Sequence, residues 1–577
     1  MKDVFREHIA GLLAGPTGLP AADVAGLLEV PRESAHGDYA FPCFTLAKAR
    51  KAAPPKIAQE LAAGIGTTAS VRKVAPVGPY VNFFVEPARL ARTVLEAYLG
   101  EGERFGTSEL GAGKTVVLDY SSPNIAKPFG VGHLRSTVIG GALYRIFRAL
   151  GYRAVGINHL GDWGTQFGKL ITAFRRWGDE AALESGGVRY LKDLYVRIEA
   201  EIKSEPQLGV EARAWFKKLE SGDPDARALW KRFREISLRE FRKVYDVLGV
   251  AFDSEAGESF YEDKMPATLA AIEAKGLTQV SEGATIVDLE PYGMPPCLLK
   301  KADEATLYAT RDLAAALYRR ETYGFHKLVY VTGADQKLHF RQLFKVLELM
   351  GFAWAQDCHH ADFGMIRLGG AKMTTRGGSV VLLEDVLDKA IEIAGEIVQD
   401  RDLAAEQKEA IAVAVGVGAV VFHDLSTRRS KDVDFDWKRV LDYDPETQSF
   451  RGENGPYLQY MHTRLTSVLR KYGKPVPTSA VAFDRLQQPE ETALLRLVYE
   501  YPAVLERAAA EFEPSLVSSH LLGLASTFSR YYHDRARNAI LSNDEELTQA
   551  RVLLCAAVRH VLGAGLGLLG VRTLERM

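Results

Sequence analysis

Residues 121–137 have the sequence SSPNIAKPFGVGHLRST and join a predicted buried strand to a predicted amphipathic helix. The strand is TVVLDYS (115–121), and the helix is LRSTVIGGALYRIFRALG (134–151). The helix is indicated by apolar residues at i+4 spacing, namely Leu134, Val138, Ala142, Ile146 and Leu150. The next segment, YRAVGINHLGDWG (152–164), is typical of a strand and a turn. The stretch therefore predicts the opening βαβ unit of a parallel α/β sheet.

The loop itself has the chemistry of a phosphate site. A helix N-terminus presents unpaired N–H groups and the positive end of the helix dipole. Gly130 and Gly132 carry no Cβ that would keep a phosphate away from the backbone. Lys127 in the loop and His133 at the helix start can donate to the negative charge of a triphosphate. From these residues alone, a nucleotide site and a plain strand–helix turn both remain open.

The composition is that of a multidomain globular protein. At 577 residues the chain is too long for one core, and about three to five domains are expected. The 47% hydrophobic and 25% charged content is ordinary, and the formal net charge of -2 does not by itself indicate nucleic-acid binding. An enzyme that binds RNA through local basic patches is compatible with that charge.

Cysteine usage and the apolar segments bear on the cellular compartment. The four cysteines are scattered without a CxxC spacing, so neither a disulfide framework nor a zinc knuckle is predicted. Cys358, His359 and His360 would point to alternate faces of a strand, which argues against a metal site. The charged N-terminus does not fit a signal peptide, and IAVAVGVGAVVF (411–422) is too short to span a bilayer. These features predict a cytoplasmic protein with no structural metal and no membrane contact.

The order of predicted strands and helices divides the chain into four segments. They are a small α/β domain (1–110), a Rossmann-type parallel-sheet α/β domain (111–385), a helical connecting segment (386–455) and an all-α bundle (456–577).

Within these segments, several elements are expected from local pattern. VGPYVNFFV (77–85) is typical of an alternating strand, and the charge-dense stretch 170–300 predicts a helical insertion into the sheet domain. Alternating strand and helix patterns resume with ATLYATRDLAAALYRR (305–320), in which LYAT is expected to be a strand that leads into a helix. Strand signals fade from about residue 383, and the apolar tail 549–571 predicts a pair of helices.

The loop 121–137 resembles the first signature of class I aminoacyl-tRNA synthetases, in the form found in arginyl-tRNA synthetases. Other segments resemble the same family in the same order, and the resemblance covers essentially the whole chain. They are HGDYA (36–40), GPYVNFF (78–84), LYATRD (307–312), GADQKLHFRQLF (333–344), FGM (363–365), KMTTRGGSVV (372–381), GENGPYLQYMHTR (452–464) and LLGVRTLERM (568–577).

The resemblance implies an arginine–tRNA ligase that uses ATP, with Mg²⁺ as counter-ion, to activate L-arginine and load it onto tRNA-Arg. It implies that activation needs bound tRNA and that the enzyme is a monomer that does not bind DNA. It also implies that the segment 386–455 contacts the tRNA stem, that the bundle 456–577 binds the anticodon, and that the domain 1–110 contacts the tRNA elbow. For these tRNA contacts the predicted residues are Asn82, Phe84, Tyr457 and Tyr532.

Recognition of arginine calls for carboxylates, because guanidinium is a fixed fork of five donors. Asp312 lies four residues after Tyr308, and the resemblance assigns this pair to the substrate arginine. The positions that match the family's remaining contacts are Asp119, Asn124 and Gln336. The alternative is that Asp312 only caps its helix, and both roles can coexist.

The resemblance also implies where ATP binds. The catalytic residues it gives are Lys127, His133 and Lys372, and the ATP contacts are Gly130, Gly132, His133, His339, Gly364, Met365 and Met373. Residues 371–378 match the second class I signature, whose glycines suit a lid over the triphosphate. A core position on an amphipathic helix remains the alternative for His339, as does an ordinary charged hairpin for residues 371–378.

Two positions depart from the class pattern. The first signature usually has histidine where this chain has Gly130, and the second often ends in lysine where this chain has Thr375. The resemblance suggests that Lys127 supplies the missing positive charge. Losing a catalytic donor costs about 10²–10³ in rate, so Gly130 leaves a second hypothesis open: a catalytically silent paralogue that binds RNA or protein.

Overall fold

A computed structural model of the chain describes residues 3–31, 33–301, 308–368, 371–372, 381–399, 401–447 and 449–577, except the side chains at 34, 368, 371 and 372. The chain divides into two compact units. The first consists of residues 1–106, 461–504 and 520–563, and the second of residues 107–460, 505–519 and 564–577.

The amino-terminal part of the first unit is an antiparallel sheet with helices. The helices are α1 (Val4–Thr17), α2 (Ala21–Leu27), α3 (Ala47–Arg50), α4 (Pro54–Gly64) and α5 (Pro87–Glu101), and the strands are β1 (Tyr39–Pro42), β2 (Val71–Val77) and β3 (Tyr80–Val85). The strand order is β1-β3-β2. The prediction of one strand over 77–85 is wrong at its start. Gly78, with φ of +55°, turns the chain between the end of β2 and the start of β3.

The second unit opens with the predicted βαβ unit. It consists of β4 (Thr115–Asp119), α6 (Leu134–Ala149) and β5 (Arg153–Ile157). β4 and β5 pair in parallel, with Asp119 opposite Ile157 at their carboxyl ends. All five apolar residues that predicted the helix are buried, which confirms the i+4 pattern.

An insertion follows β5. It contains α7 (Thr165–Trp177), α8 (Glu180–Ser204), α9 (Gln207–Glu220), α10 (Pro224–Leu248), α11 (Met265–Ala274), β6 (Thr278–Ser281), β7 (Ala284–Val287) and β8 (Cys297–Lys300). The prediction that 170–300 is helical is wrong at its end, where β6, β7 and β8 form an antiparallel sheet. Glu282 and Gly283 join β6 to β7 with φ of +50° and +81°, the left-handed values that a two-residue hairpin turn requires.

The parallel sheet is completed after the insertion by α12 (Tyr308–Tyr323), β9 (Lys327–Tyr330), α13 (Lys337–Leu349) and β10 (Cys358–His360). The strand order is β10-β9-β4-β5, and all neighbours are parallel. β4 thus has β5 on one side and β9 on the other, and ligands of such sheets bind beyond the carboxyl ends at this point.

The strand predicted for LYAT (307–310) is wrong from Tyr308 onward. Tyr308 begins α12, and Leu307 lies outside the described residues. Tyr308 and Asp312 are therefore one helical turn apart on the same helix, where side chains at i and i+4 are neighbours.

The segment after β10 contains short strands between helices. The elements are β11 (Ile366–Leu368), β12 (Ala371–Lys372), α14 (Leu383–Val398), α15 (Ala405–Leu425), β13 (Val433–Phe435), α16 (Trp437–Val440), β14 (Tyr443–Asp444) and β15 (Ser449–Phe450). β11 pairs with β12 antiparallel and with β13 in parallel. The connecting segment 386–455, expected to be helical, contains the short strands β13, β14 and β15 as well as helices, and β13 pairs with β11.

The remaining elements are α17 (Gly455–Tyr472), α18 (Pro489–Ala510), α19 (Ser515–His533), α20 (Arg535–Asn538) and α21 (Glu545–Leu569). The tail predicted as a helix pair is one helix, α21, which continues through Gly563, Gly565 and Gly567 and ends before Gly570, whose φ is +82°. Among the described residues α21 alone is long and apolar enough to cross a membrane, and 67% of its most apolar window is buried inside the protein.

Candidate active site

A cavity of about 720 Å³ opens at the carboxyl ends of β4, β5 and β9. Nine of the residues predicted from the sequence line it: Asp119, Asn124, Gly132, His133, Tyr308, Asp312, Gln336, Gly364 and Met365. Lys127 and Gly130 belong to the same loop as His133 without lining the cavity, and His339 contacts Asp312 without being among the described lining residues. The structure thus brings together residues from separate parts of the sequence.

The loop between β4 and α6 has an unusual backbone conformation. Ser121, Ser122 and Ala126 have φ of +70°, +48° and +58°, and such left-handed values cost about 1–2 kcal/mol for a residue with a Cβ. Ser136 Oγ accepts a hydrogen bond from the Ser121 N–H at 2.8 Å, and Ser237 Oγ accepts one from the Ala126 N–H at 2.9 Å. Hydroxyl groups on α6 and α10 therefore hold the loop in place.

His133 is half-buried at the start of α6. Its Nδ1 lies 3.3 Å from the Gly130 carbonyl oxygen, so Nδ1 carries the proton of this hydrogen bond. Burial lowers the pKa of His133, the positive charge of Lys127 lowers it further, and the Gly130 carbonyl opposes the shift. The free imidazole is therefore neutral near neutral pH, and its Nε2 carries no proton, so Nε2 can donate to a phosphate only after it takes up a proton.

The two glycines of the loop differ in what surrounds them. Gly130 has φ of -82° and ψ of 160°, an extended conformation open to any residue. Gly130 forms an isolated antiparallel β-bridge with Leu382, and the N–H of the next residue, Val131, donates to the Val381 carbonyl at 3.0 Å. A Cβ at Gly132 would meet nothing within 4 Å. Backbone conformation therefore does not require glycine at 130, and the space beside Gly132 is open.

Asp312 on α12 and Glu258 both line the cavity and lie close enough for their charges to interact; they are called here the Asp312 cluster. Asp312 is buried, and its Oδ2 lies 2.6 Å from His339 Nε2. The ring of Tyr308 packs against His339 at 4.7 Å between centroids, and the Tyr308 hydroxyl donates to Gln336 Oε1 at 3.5 Å. Asp312, His339, Tyr308 and Gln336, all predicted from the sequence, thus form one contact network, and His339 lies beside the Asp312 cluster.

A buried arginine that sequence reasoning missed neutralises Asp119. Arg319 is 1% exposed, and its Nη1 lies 2.8 Å from Asp119 Oδ2. Ser122 Oγ donates to Asp119 Oδ1 at 2.9 Å, so both carboxylate oxygens already have a partner. Arg319 also donates to His159 Nδ1 at 3.3 Å, and His159 Nε2 lies 3.8 Å from Asp312. The only sequence signal for Arg319 was its place two turns after Asp312 on the same helix.

Glu258 is a second residue that sequence reasoning missed. It lines the cavity, and burial raises its pKa to about 7, with the charge of Asp312 adding to the rise and that of Arg311 opposing it. Its Oε2 lies 3.8 Å from Arg311 Nη1, while Glu262 takes the closer contact to Arg311 at 2.7 Å. Glu258 lies in the insertion, far in sequence from the motifs that indicated the site.

The segment Phe363–Met365, called here the 363–365 wall, forms another side of the cavity. The Met365 N–H donates to Asp432 Oδ1 at 2.8 Å. A Cβ added to Gly364 would lie 2.5 Å from the backbone of Lys431, so the close approach of the two segments requires glycine. This wall is therefore packed directly on residues 431–432.

The second signature is described only in part. Lys372 stands on β12 opposite Arg367 of β11, and its side chain lies outside the described part of the chain. Met373 and Thr375 also lie outside the described residues. Their predicted roles stay predictions.

The four residues predicted to contact tRNA are not among those that line the cavity. Asn82 is buried and donates to the His36 carbonyl, while Phe84 is half-buried under the ammonium of Lys73 at 4.9 Å. Tyr532 is half-buried, with Arg464 at 4.9 Å and Arg535 at 5.7 Å from its ring centre. Tyr457 is half-buried near the start of α17, and its N–H donates to Asn454 Oδ1 at 2.9 Å.

Three family models match the chain. Residues 95–437, more than half of the sequence, match the catalytic domain of "tRNA synthetases class I (R)". Residues 1–85 match the arginyl tRNA synthetase N terminal domain, and residues 458–577 match the DALR anticodon binding domain. The parallel sheet and the catalytic-domain match define a class I aminoacyl-tRNA synthetase.

Full-length relatives narrow the class to one family. The arginine–tRNA ligase of Halothermothrix orenii is 46% identical over 574 residues, covering 99% of this chain and 100% of the relative. That of Clostridioides difficile is 48% identical over 559 residues, covering 97% of each. Within class I, the chain therefore belongs to the arginyl-tRNA synthetase family. The arginyl-tRNA synthetase structure from Thermus thermophilus has the same fold, with a TM-score of 0.81, 24% identity, and coverage of 99% of this chain and 100% of that one.

Proposed function

We propose that this chain activates L-arginine with ATP and transfers it to the 3′-terminal ribose of tRNA-Arg. Membership in the arginyl-tRNA synthetase family supports the activity of an arginine–tRNA ligase. The main structural support is that two kinds of binding surface line one cavity. The loop at the start of α6 suits a triphosphate, and the Asp312 cluster suits a guanidinium. Nothing in the described site favours the silent paralogue.

The acidic end of the cavity supports the binding of arginine. Asp312 and Glu258 both line the cavity and can accept the N–H groups of the guanidinium fork, with Tyr308 and Gln336 beside them. Asp119 is already paired with Arg319, so its remaining lone pairs suit the single α-ammonium of the substrate better than a second fork. Asn124, exposed on the loop after β4, can contact the same end of the amino acid.

The loop end of the cavity supports the binding of ATP. The open space at Gly132, the Nε2 of His133 and the charge of Lys127 suit the triphosphate, with Mg²⁺ as its counter-ion. The 363–365 wall suits the adenosine. His339, which the sequence predicts to contact ATP, also contacts Asp312 and so lies beside the proposed arginine site. Lys372 and Met373 of the second signature are proposed to close over the triphosphate.

In the proposed reaction, an oxygen of the arginine carboxylate attacks the α-phosphorus of ATP in line with the bond to pyrophosphate. The P–O bond to the leaving pyrophosphate breaks, and arginyl-adenylate forms. His133, Lys127 and the amides of the helix start stabilise the charge that develops on the phosphates. A hydroxyl of the terminal ribose then attacks the arginyl carbonyl carbon, and AMP leaves.

The rest of the chain supplies the proposed tRNA contacts. The domain 1–110 would contact the elbow through Asn82 and Phe84, and the segment 386–455 would contact the stem. The bundle 456–577 would bind the anticodon with Tyr457 and Tyr532, and the arginines on the Tyr532 ring suit stacking on bases. We propose that the enzyme acts as a cytoplasmic monomer.

The function is tested by exchange of labelled pyrophosphate into ATP with purified protein, arginine and tRNA-Arg. Exchange well above background is expected, with loss when tRNA is omitted or when lysine replaces arginine, since an ammonium cannot fill a site built for a fork. Background exchange in the complete mixture would overturn the proposal. Formation of arginyl-tRNA in the same preparation checks the second step.

Glu258→Gln is expected to raise the KM for arginine by about tenfold, because the amide removes one carboxylate from the guanidinium site. In the wild type the KM for arginine should fall as pH rises through about 7, since Glu258 becomes charged above its raised pKa. The variant should lose that dependence. Glu262→Gln is the matched control, because Glu262 also pairs with Arg311 but does not line the cavity. Equal behaviour of the two variants would contradict the role of Glu258.

Gly130→His is expected to retain activity, because the extended backbone at 130 accepts a side chain and an imidazole adds a donor to the loop. The kcat for pyrophosphate exchange should fall by much less than the roughly 100-fold that loss of a catalytic donor costs. Pro128→Ala, at a half-buried position of the same loop that does not line the cavity, serves as the control for substitution in the loop. An inactive but folded Gly130→His protein would show that the site needs a bare backbone at 130.

A further inference from the structure

Arg135, in the first turn of α6, joins three parts of the second unit. The residue is completely buried, and its Nε lies 2.9 Å from Oδ1 of Asp424, a residue near the end of α15 that is 2% exposed. Its Nη1 donates to the carbonyl oxygen of Gly364 at 2.9 Å and to that of Lys431 at 2.6 Å. One side chain therefore connects the start of α6, the 363–365 wall and the chain just before β13.

These contacts lie between two sides of the cavity. Arg135 follows His133 by two residues, so its backbone moves with the helix start that lines the cavity. Gly364 belongs to the 363–365 wall, which packs on Lys431 and is bonded to Asp432. The guanidinium also lies 5.8 Å from the ring centre of Phe363. Arg135 thus contacts the 363–365 wall from the helix start and also lines the cavity itself.

Stability alone does not account for such a group. A buried ion pair contributes little relative to apolar side chains of the same volume, because both charges lose their hydration. The guanidinium is a rigid planar fork that holds several acceptors at once in one geometry, which a lysine ammonium on a flexible stem cannot do. The arrangement therefore favours a role in geometry.

We propose that Arg135 is a positioning residue for ATP, oriented by Asp424, which sets the separation between the His133 loop and the 363–365 wall. The proposal rests on the proposed function, in which one ATP contacts both sides of the cavity with its triphosphate and its adenosine. A change in the separation of the two sides weakens the contacts to the triphosphate and the contacts to the adenosine together. The guanidinium of arginine binds at the Asp312 cluster, on neither of the two sides that Arg135 joins, and the only loop residue proposed to contact the amino acid is Asn124, at the opposite end of the loop from Arg135.

The test is Arg135→Lys, which keeps the charge beside Asp424 and loses the fork to the two carbonyls. Binding of a non-hydrolysable ATP analogue is measured by calorimetry, and the KM values for ATP and arginine by pyrophosphate exchange. We expect ATP affinity to fall and the KM for ATP to rise by about tenfold, with the KM for arginine within about twofold of the wild-type value.

A second variant keeps the test valid if Arg135→Lys does not fold. Asp432→Ala removes the acceptor of the Met365 N–H on a side chain that is 40% exposed, and should weaken ATP by a smaller factor without lowering the melting temperature. A direct electrostatic role of Asp432 predicts the opposite sign, because losing a negative charge favours binding of a triphosphate.

The matched control is Arg551→Lys in the first unit. Arg551 is also buried, at 3% exposed, with Nε 2.7 Å from Glu491 Oε1, and is not part of the cavity lining. It should lower stability with no change in ATP affinity. The proposal is overturned if Arg135→Lys leaves ATP affinity at the wild-type value, if ATP and arginine weaken by the same factor, or if Arg551→Lys shows the same ATP defect. Failure of the wild type to catalyse exchange would overturn the proposed function instead.

Discussion

Asp312→Asn is expected to raise the KM for arginine by about 100-fold while the KM for ATP changes by less than about threefold. Asparagine keeps the size of the side chain and can still accept the hydrogen bond from His339, so the change removes little except the negative charge. A guanidinium desolvated in the cavity then lacks one of the two carboxylates it needs. Pyrophosphate exchange with each substrate varied in turn measures both constants.

Asp335→Asn is the matched control for Asp312→Asn. Asp335 also lines the cavity, but it is exposed, so solvent screens its charge. The control variant should bind arginine nearly as the wild type does. Equal increases in the KM values for arginine and ATP in Asp312→Asn would argue against guanidinium recognition and for a general loss of cavity structure.

His133→Ala is expected to lower the kcat of pyrophosphate exchange by about 10²–10³, because it removes the side-chain donor nearest to the helix start. The affinity for arginine should not change, since His133 is not in contact with the Asp312 cluster. Near-normal turnover of the variant would refute the role. His326→Ala is the control, since His326 is an exposed histidine next to the amino end of β9.

Protonation gives a readout of His133 that does not depend on turnover. The pKa of His133 is lowered in the free protein, and a triphosphate beside Nε2 would raise it again. ATP binding near neutral pH should therefore take up a proton in the wild type. Calorimetry in buffers of different ionisation heat measures this uptake, and His133→Ala should lose it. Unchanged uptake in the variant would assign the proton to another group.

Local pattern was sufficient where the signal lay within one element. The i+4 apolar positions predicted α6, and the apolar run before the loop predicted β4, because a helix or strand that faces a core must repeat its apolar residues with its own period. Pattern failed at β6–β8, where a short hairpin depends on two residues with left-handed backbone angles. It also failed at Tyr308, which begins a helix although LYAT has the residue types of a strand. It also failed in α21, whose glycines did not end the helix because its apolar face is buried.

The sequence by itself determined the parallel α/β class and the family resemblance, and it predicted a nucleotide-binding role for the loop with Lys127, Gly130, Gly132 and His133. Those features are local, since each depends on residues close together in the chain. The tertiary structure alone placed Glu258 in the cavity and Arg319 on Asp119, and it alone joined Arg135 to Asp424 and Gly364. The residues of such pairs are hundreds of positions apart in the sequence. Burial raises the pKa of Glu258, and burial also determines how much free energy an unpaired charge costs. Neither burial nor long-range pairing is written in the local pattern of one sequence.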